Sequence, residues 1–202
     1  MTRRVVVALL APVAWSPPGI DPADWRRALA EDVVDLLATL QEVETAVAVT
    51  PADRRLADAV VWPGTPVVEV PTPSVGAVLA ALDGYDQAAV IAADAPDLPG
   101  LTVGKLLRPL TTRPVAVAPV EGAGPGLLGL AARLPAPEWL PEVDLDSAVP
   151  AAIRAVAPRP ADLAVTAPWR RVRGPADLAT LDPAVEGWEA TRALLTTGNH
   201  AV

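Results

Sequence analysis

Short aliphatic runs alternate with amphipathic segments along most of this sequence. Residues 4–11, 43–49 and 87–93 are strand-like runs, and residues 23–40 repeat leucine and valine at the spacing of one helical face. Strands that alternate with helices in this way form a mostly parallel sheet covered on both faces. The sequence therefore predicts an α/β fold, a three-layer α/β/α sandwich with a mostly parallel mixed sheet.

Proline and glycine divide the rest of the chain into shorter elements. Further strands are predicted at 59–62, 67–70, 114–118 and 163–166, a glycine-rich loop at 121–129, and further helices at 74–82, 102–110, 147–156, 175–181 and 183–195. No internal repeat or low-complexity tract marks a domain boundary. We therefore expect one domain at residues 1–195 and a flexible tail at residues 196–202.

The composition is that of a folded protein with a core of small aliphatic residues. Hydrophobic residues make up 51% of the chain and charged residues 20%, which is far from the profile of a disordered chain. The formal net charge of −8 argues against a nucleic-acid partner, because neutralising phosphates needs a basic surface. There is no cysteine, which excludes disulfides, thiolate catalysis and zinc bound to sulfur.

The N-terminal run at residues 5–15 has two interpretations. Arg3 and Arg4, followed by aliphatic residues, imitate the charged and apolar parts of a signal peptide. The same residues fit a buried first strand of a parallel sheet, which reads as a continuous aliphatic run. We favour the strand and expect a cytoplasmic protein. We expect no membrane span, since no apolar run approaches the roughly 20 residues that a bilayer requires.

Two carboxylates follow the clearest predicted strand. Asp94 and Asp97 lie just beyond residues 87–93, on a turn stiffened by Pro96 and Pro99. Ligands of open α/β sheets bind at the carboxyl ends of the strands, and Mg²⁺ or Mn²⁺ prefers such oxygen ligands together with phosphates. The alternative is structural: Asp94 ends the strand and Asp97 caps a turn before the next helix.

The segment Asp94-Ala95-Pro96-Asp97-Leu98-Pro99 resembles the aspartate-proline-aspartate signature of GT-A-type proteins. This superfamily includes sugar-nucleotide glycosyltransferases, molybdenum-cofactor guanylyltransferase and phospholactate guanylyltransferase, and the likeness is nearest to bacterial glycosyltransferase-like proteins. Residues 29–37, 117–130 and 174–178 resemble the first helix, the strand with its glycine-rich loop and the closing helix of that family, in the same order.

The resemblance implies a GT-A-like nucleotide-binding domain with a defined set of site residues. It implies that Asp94 and Asp97 hold Mg²⁺ or Mn²⁺ against a nucleotide or a sugar nucleotide. Where the family has an acid-Gly-Gly-Tyr loop, this chain differs and has Glu121-Gly122-Ala123-Gly124, in which we expect Glu121 to meet a sugar hydroxyl and Gly122 and Gly124 to let the backbone approach the ligand closely. The alternative for these three residues is a mobile surface loop.

The sequence departs from the family pattern at the residues that would grip phosphate and metal. The loop at residues 14–21 has no lysine or arginine, so Arg26 and Arg27 either substitute for them or form a solvated helix face. Where the family has a second acidic ligand, this chain has Arg171-Val172-Arg173. Arg170, Arg171 and Arg173 either replace the metal as a phosphate clamp or protect an exposed edge strand.

These observations leave two functions open. The first is a nucleotidyltransferase or glycosyltransferase that binds a nucleoside phosphate or sugar nucleotide with a divalent metal. The second is a catalytically degenerate relative that acts as a ligand-binding or partner-binding module. The only histidine, His200, lies in the predicted tail, and Ser74 and Ser147 are predicted helix caps, so a nucleophilic hydrolase is not supported. The sequence does not determine the oligomeric state.

Overall fold

A computed structural model describes residues 2–198, and these residues form a seven-stranded sheet with helices on both faces. The strands are β1 (Arg4–Leu9), β2 (Glu44–Val49), β3 (Val67–Glu69), β4 (Gln87–Ala92), β5 (Val115–Pro119), β6 (Leu127–Arg133) and β7 (Leu163–Val165). The α-helices are α1 (Pro22–Thr39), α2 (Arg54–Val60), α3 (Val75–Ala80), α4 (Gly100–Leu107), α5 (Pro150–Val156), α6 (Pro175–Leu178) and α7 (Glu189–Gly198).

The strand order is β3-β2-β1-β4-β6-β5-β7, and the sheet is mixed. Strands β3, β2, β1 and β4 pair in parallel, as do β5 and β7, whereas β6 runs antiparallel to both of its neighbours. The predicted three-layer sandwich with a mostly parallel mixed sheet is confirmed. β1 and β4 are adjacent, so their carboxyl ends, at Leu9 and Ala92, lie at the same edge of the sheet.

Alternating side chains of the central strands build two core layers. On β1, Val6 and Ala8 belong to the core layer that α1, α2 and α4 cover, while Val5 and Val7 belong to the layer on the other face, which α3 and α5 cover. Every residue of β4 is buried, which explains why its sequence is continuously aliphatic rather than alternating. No helix within the described residues is both long and apolar enough to cross a bilayer.

Strand β6 was not predicted from the sequence. The glycine-rich stretch was predicted to be a loop as far as Gly129, but the strand begins at Leu127 and lies between β4 and β5. Its glycine and alanines carry little β propensity. Gly129 pairs with Ile91, and a Cβ atom there would lie 2.7 Å from the carbonyl oxygen of Val90. The close approach of the two backbones therefore requires glycine.

Three shorter predictions were wrong. The strand predicted at 59–62 is the end of helix α2 and the two residues that follow it. Residues 183–188, predicted to begin a helix, form turns ahead of α7. Ser147 does not cap a helix but donates to Asp144, and α5 begins at Pro150. Helix α7 reaches Gly198, and the rest of the predicted tail, including His200, lies outside the described residues.

A third apolar cluster joins the loop after β1 to the C-terminal segment. Trp25 and Leu29 on α1 are fully buried against Val172 and Trp188, and Trp15 from the loop meets Trp25 edge-on with ring centroids 6.1 Å apart. Asp21 caps α1 by accepting hydrogen bonds from the first backbone amides of the helix. The loop that the family resemblance associates with phosphate binding is therefore held here by apolar packing.

The buried carboxylate of Asp32 ties α1 to the start of α7. Its two oxygens accept from the backbone amides of Ala190 and Thr191, each at 2.9 Å. Burial raises the pKa of Asp32 to about 6, although these hydrogen bonds act in the opposite direction. The carboxyl group thus binds its proton more tightly in the folded chain than in the unfolded chain.

This raised pKa predicts a pH-dependent stability difference between the wild type and Asp32→Asn. As the pH rises from about 4 to about 7, the wild type should lose on the order of 2 kcal/mol relative to the variant, because only its carboxyl group must ionise while buried. Urea unfolding of both proteins across this range measures the difference. A difference that stays constant or grows in favour of the wild type would contradict the prediction.

Candidate nucleotide-binding cleft

A cleft opens at the carboxyl ends of β1 and β4, where α/β sheets commonly bind ligands. Its walls come from the residues after both strands, from one face of α1 and from residues 144–146, and they include Leu10, Pro12, Arg26, Asp94, Asp146 and Arg171. The cleft is narrow: about 20 Å³ is open to the centre of a water-sized sphere. That is room for about one water molecule, so a larger ligand requires its walls to move.

Asp94 lies in this cleft as half of a buried ion pair. The Nε and Nη2 atoms of Arg171 donate to the two oxygens of Asp94 at 2.5 and 2.8 Å, and Arg171 is only 5% exposed. The backbone amide of Val172 also donates to the carbonyl oxygen of Asp94 at 2.8 Å. Burial lowers the pKa of the Arg171 guanidinium, but the charges of Asp94 and Asp146 outweigh it, so the pKa is raised.

Asp97 is buried and paired with a different arginine. Arg170 Nε donates to Asp97 Oδ2 at 2.6 Å, and Trp169 Nε1 approaches Oδ1 at 3.4 Å. The guanidinium of Arg170 also stacks over the Trp169 ring, 4.6 Å from its centre. The residues at 170–173 were expected to be either a phosphate clamp or an exposed edge. The exposed-edge interpretation is wrong for Arg171, because this residue is buried against an acid.

The glycine-rich loop lies outside the cleft lining. Glu121, Gly122 and Gly124 are all exposed, and their role in ligand binding stays a prediction. Arg173, from a later part of the chain, contacts this loop: its Nη1 donates to the carbonyl oxygens of Pro125 and Asp146 at 3.0 and 3.4 Å. Of the seven predicted site residues, only Asp94 and Arg171 line the cleft itself.

Two residues of the cleft were missed or undervalued in the sequence. One of the two predictions for Arg26 was a position on a solvated helix face. Instead, its Nη atoms donate to both oxygens of Asp53 and to the carbonyl oxygen of Leu10. Asp146 was not selected, yet it accepts from Arg171 Nη2 at 2.6 Å. The spacing Asp144-Leu145-Asp146 was the available signal, since it has the aspartate-x-aspartate form that the chain lacks at residues 171–173.

The predicted pair of metal ligands does not fit a divalent metal. Both oxygens of Asp94 and both oxygens of Asp97 already accept hydrogen bonds from arginine or tryptophan side chains. A guanidinium between Asp94 and an incoming cation would also repel that cation at close range. Among residues 2–198, no group of three or more histidine, aspartate or glutamate side chains is placed to hold a metal.

The fold can be compared with solved structures, although no protein-family model matches the sequence and no match was found among curated proteins. A candidate nucleotide-diphospho-sugar transferase from Desulfovibrio desulfuricans G20 superimposes with a TM-score of 0.69 at 18% identity, over 99% of this chain and 96% of that one. The 4-diphosphocytidyl-2C-methyl-D-erythritol synthase of Anaerococcus prevotii DSM 20548 gives 0.59 at 11% identity, over 96% of each chain.

A third similar structure is CMP:2-keto-3-deoxy-manno-octonic acid synthetase in complex with CTP. Its TM-score is 0.53 at 17% identity, over 97% of this chain and 98% of that one. At these identities the likeness establishes the fold: this chain has the fold of the nucleotide-diphospho-sugar transferases and nucleotidyltransferases. The expected GT-A-like architecture is therefore confirmed over nearly the whole sequence.

Proposed function

We propose that this protein binds a nucleoside phosphate or a sugar nucleotide in the cleft after β1 and β4, and that it does so as a binding module without metal-dependent transfer. The observation that carries the proposal is the bidentate ion pair between Asp94 and Arg171. Asp94 is the acid that a transferase of the family would present to its metal, and here both of its oxygens are bound by Arg171.

The binding part of the proposal is supported by the position of the cleft and by the fold. The cleft lies at the edge of the sheet where ligands of open α/β proteins bind. One protein with this fold is solved in complex with CTP, and others are transferases or synthases that are named for nucleotide chemistry. The apolar walls at Leu10, Pro12 and Ala30 suit the packing of a base or ribose.

A second candidate function is a metal-dependent nucleotidyl or glycosyl transfer. The names of the proteins that share the fold favour it. It would require Asp94 and Asp97 to exchange their arginine partners for Mg²⁺ or Mn²⁺ when the nucleotide arrives. The loss of buried, charge-assisted hydrogen bonds makes that exchange costly, and this is why we prefer the binding module.

Nucleotide binding predicts a thermal shift that does not depend on metal. CTP, GTP, UTP and UDP-glucose, each with EDTA or with MnCl₂, should include at least one ligand that raises the melting temperature by about 5 °C or more near 100 times its Kd. The shift should be the same in both buffers, with no pyrophosphate or nucleoside diphosphate released. Scanning fluorimetry and a coupled release assay measure the two effects.

A pair of tryptophan variants controls this experiment. Leu56 lines the cleft, so Leu56→Trp should abolish the shift by filling the binding space, whereas Leu101→Trp should leave the shift unchanged because Leu101 is 70% exposed on α4. If no nucleotide raises the melting temperature of the wild type in either buffer, the proposal fails. Turnover that requires Mn²⁺ would instead establish the second candidate.

A further inference from the structure

Five oxygen atoms surround the guanidinium group of Arg171. Besides the two oxygens of Asp94, they are Oδ1 of Asp146, at 2.6 Å from Nη2, and the carbonyl oxygens of Leu127 and Leu145, at 3.1 and 3.0 Å from Nη1. We call these five atoms the oxygen cage. Two of the four residues are carboxylates and two contribute backbone carbonyls, so the cage carries negative charge and has no hydrogen-bond donor of its own directed at the guanidinium.

The cage has the chemistry of a binding site for a hard cation. Carboxylate and carbonyl oxygens are the ligands that Ca²⁺, Mg²⁺ and Mn²⁺ take from proteins, with Ca²⁺ at about 2.3–2.6 Å. The Nη2 atom of Arg171 already lies 2.8 Å from Asp94 Oδ2 and 2.6 Å from Asp146 Oδ1. A cation at the position of this nitrogen needs the two oxygens to move by only a few tenths of an ångström.

We infer that the guanidinium of Arg171 is a covalently attached cation that permanently fills a divalent-cation position. All five oxygens of the cage accept hydrogen bonds from the protein itself, because Arg171 donates to them from its Nε, Nη1 and Nη2 atoms. The wild type therefore takes up no divalent metal at this cleft. Removal of the side chain exposes the oxygen cage and converts it into a metal site.

The inference has a consequence for the ligand, and this consequence rests on the proposed function. Asp94, Asp144 and Asp146 all line the cleft and would repel an anionic ligand. Arg171 neutralises part of this charge without help from solution. Nucleotide binding by Arg171→Ala should therefore fall at least tenfold with EDTA and recover in part with Mn²⁺, whereas wild-type binding does not respond to the metal.

Manganese binding measured without any nucleotide tests the inference directly. The wild type should leave the electron paramagnetic resonance signal of free Mn²⁺ unchanged, while Arg171→Ala should remove about one equivalent of it. Arg171→Lys keeps a cation in the cage and should behave as the wild type does. If Arg171→Ala folds poorly, Arg171→Lys still tests whether a cationic side chain in the cage excludes Mn²⁺.

Thermal rescue provides a second readout. Arg171→Ala should melt well below the wild type, and millimolar Mn²⁺ or Ca²⁺ should raise its melting temperature by about 3 °C or more, at about ten times the Kd. Dilute guanidinium chloride should also raise it, because the free ion can re-enter the cage. Arg54→Ala is the matched control, since Arg54 forms an exposed pair with Asp58 and should show no rescue.

Two results would overturn the inference. One is wild-type protein that binds a single Mn²⁺ ion and loses this binding in Asp94→Asn. The other is Arg171→Ala that is neither stabilised nor refolded by Mn²⁺, Ca²⁺ or guanidinium. Both results are measured in the absence of nucleotide. A failure of nucleotide binding would therefore reject the proposed function without deciding the inference about Arg171.

Discussion

Asp94→Ala should lower the free energy of unfolding by about 3 to 5 kcal/mol, because it leaves the charge of Arg171 buried without its main partner. Arg171 is 5% exposed, and Asp146 alone would remain as a charged acceptor. Equilibrium unfolding in urea, followed by tryptophan fluorescence, measures the change.

A double variant separates the buried charge from the packing of the side chains. Asp94→Leu combined with Arg171→Met replaces the pair by apolar groups of similar size, and it should be more stable than Asp94→Ala because the unpaired charge of Arg171 is gone. Asp58→Ala, which breaks the exposed pair with Arg54, should cost much less. If Asp94→Ala costs no more than Asp58→Ala, the pair does not have the structural role described here.

This prediction affects how a loss of function at Asp94 should be interpreted. In a metal-dependent transferase, an inactive variant of the first signature aspartate would indicate a metal ligand. In this chain the same variant disturbs Arg171 and, through it, Leu127 and Leu145. Activity or binding data for Asp94 variants therefore need a stability measurement beside them.

Gly129→Ala should destabilise the protein by about 3 kcal/mol, because a Cβ atom at this position meets backbone in the middle of the sheet. The added atom would lie 2.7 Å from the carbonyl oxygen of Val90 and 2.9 Å from a methyl carbon of Ile91. The carbonyl belongs to β4, which is buried throughout and cannot move away. Urea unfolding of the variant measures the loss.

Gly104→Ala is the matched control for the same chemical change. Gly104 lies on the exposed face of α4 with nothing within 4 Å of the added atom. Alanine favours a helix over glycine by about 1 kcal/mol, so this variant should be slightly more stable than the wild type. If the two substitutions change the free energy of unfolding equally, the sheet around Gly129 can accommodate a Cβ atom, and the prediction is wrong.

The fold could be predicted because the sequences of β1 and β4 are typical of buried strands. β1 and β4 are continuous aliphatic runs, which buried parallel strands require, and proline or aspartate ends them abruptly. β6 could not be predicted in the same way. Its leucines, alanines and glycine favour no single structure locally, and only its two partners in the sheet make it a strand.

The candidate site was predictable in position but not in its contacts. The signature at Asp94 and Asp97 follows a strand that was predicted to be buried, and the candidate cleft lies at the edge of the sheet where this strand ends. The partners of these acids lie more than 70 residues away in the sequence, at Arg170 and Arg171. Whether such an arginine faces solvent or a buried acid depends on chain packing that no local pattern records.

The order of the chain adds a consequence for biosynthesis. All seven strands of the described residues lie before residue 166, whereas Arg171 and two apolar partners of Trp25, Val172 and Trp188, come after them. During translation the complete sheet is therefore available before the cation that neutralises Asp94 has been made. The cleft is completed only once Arg171 has been made, so a nascent chain halted short of Arg171 would carry an unneutralised acid at the edge of an otherwise assembled sheet.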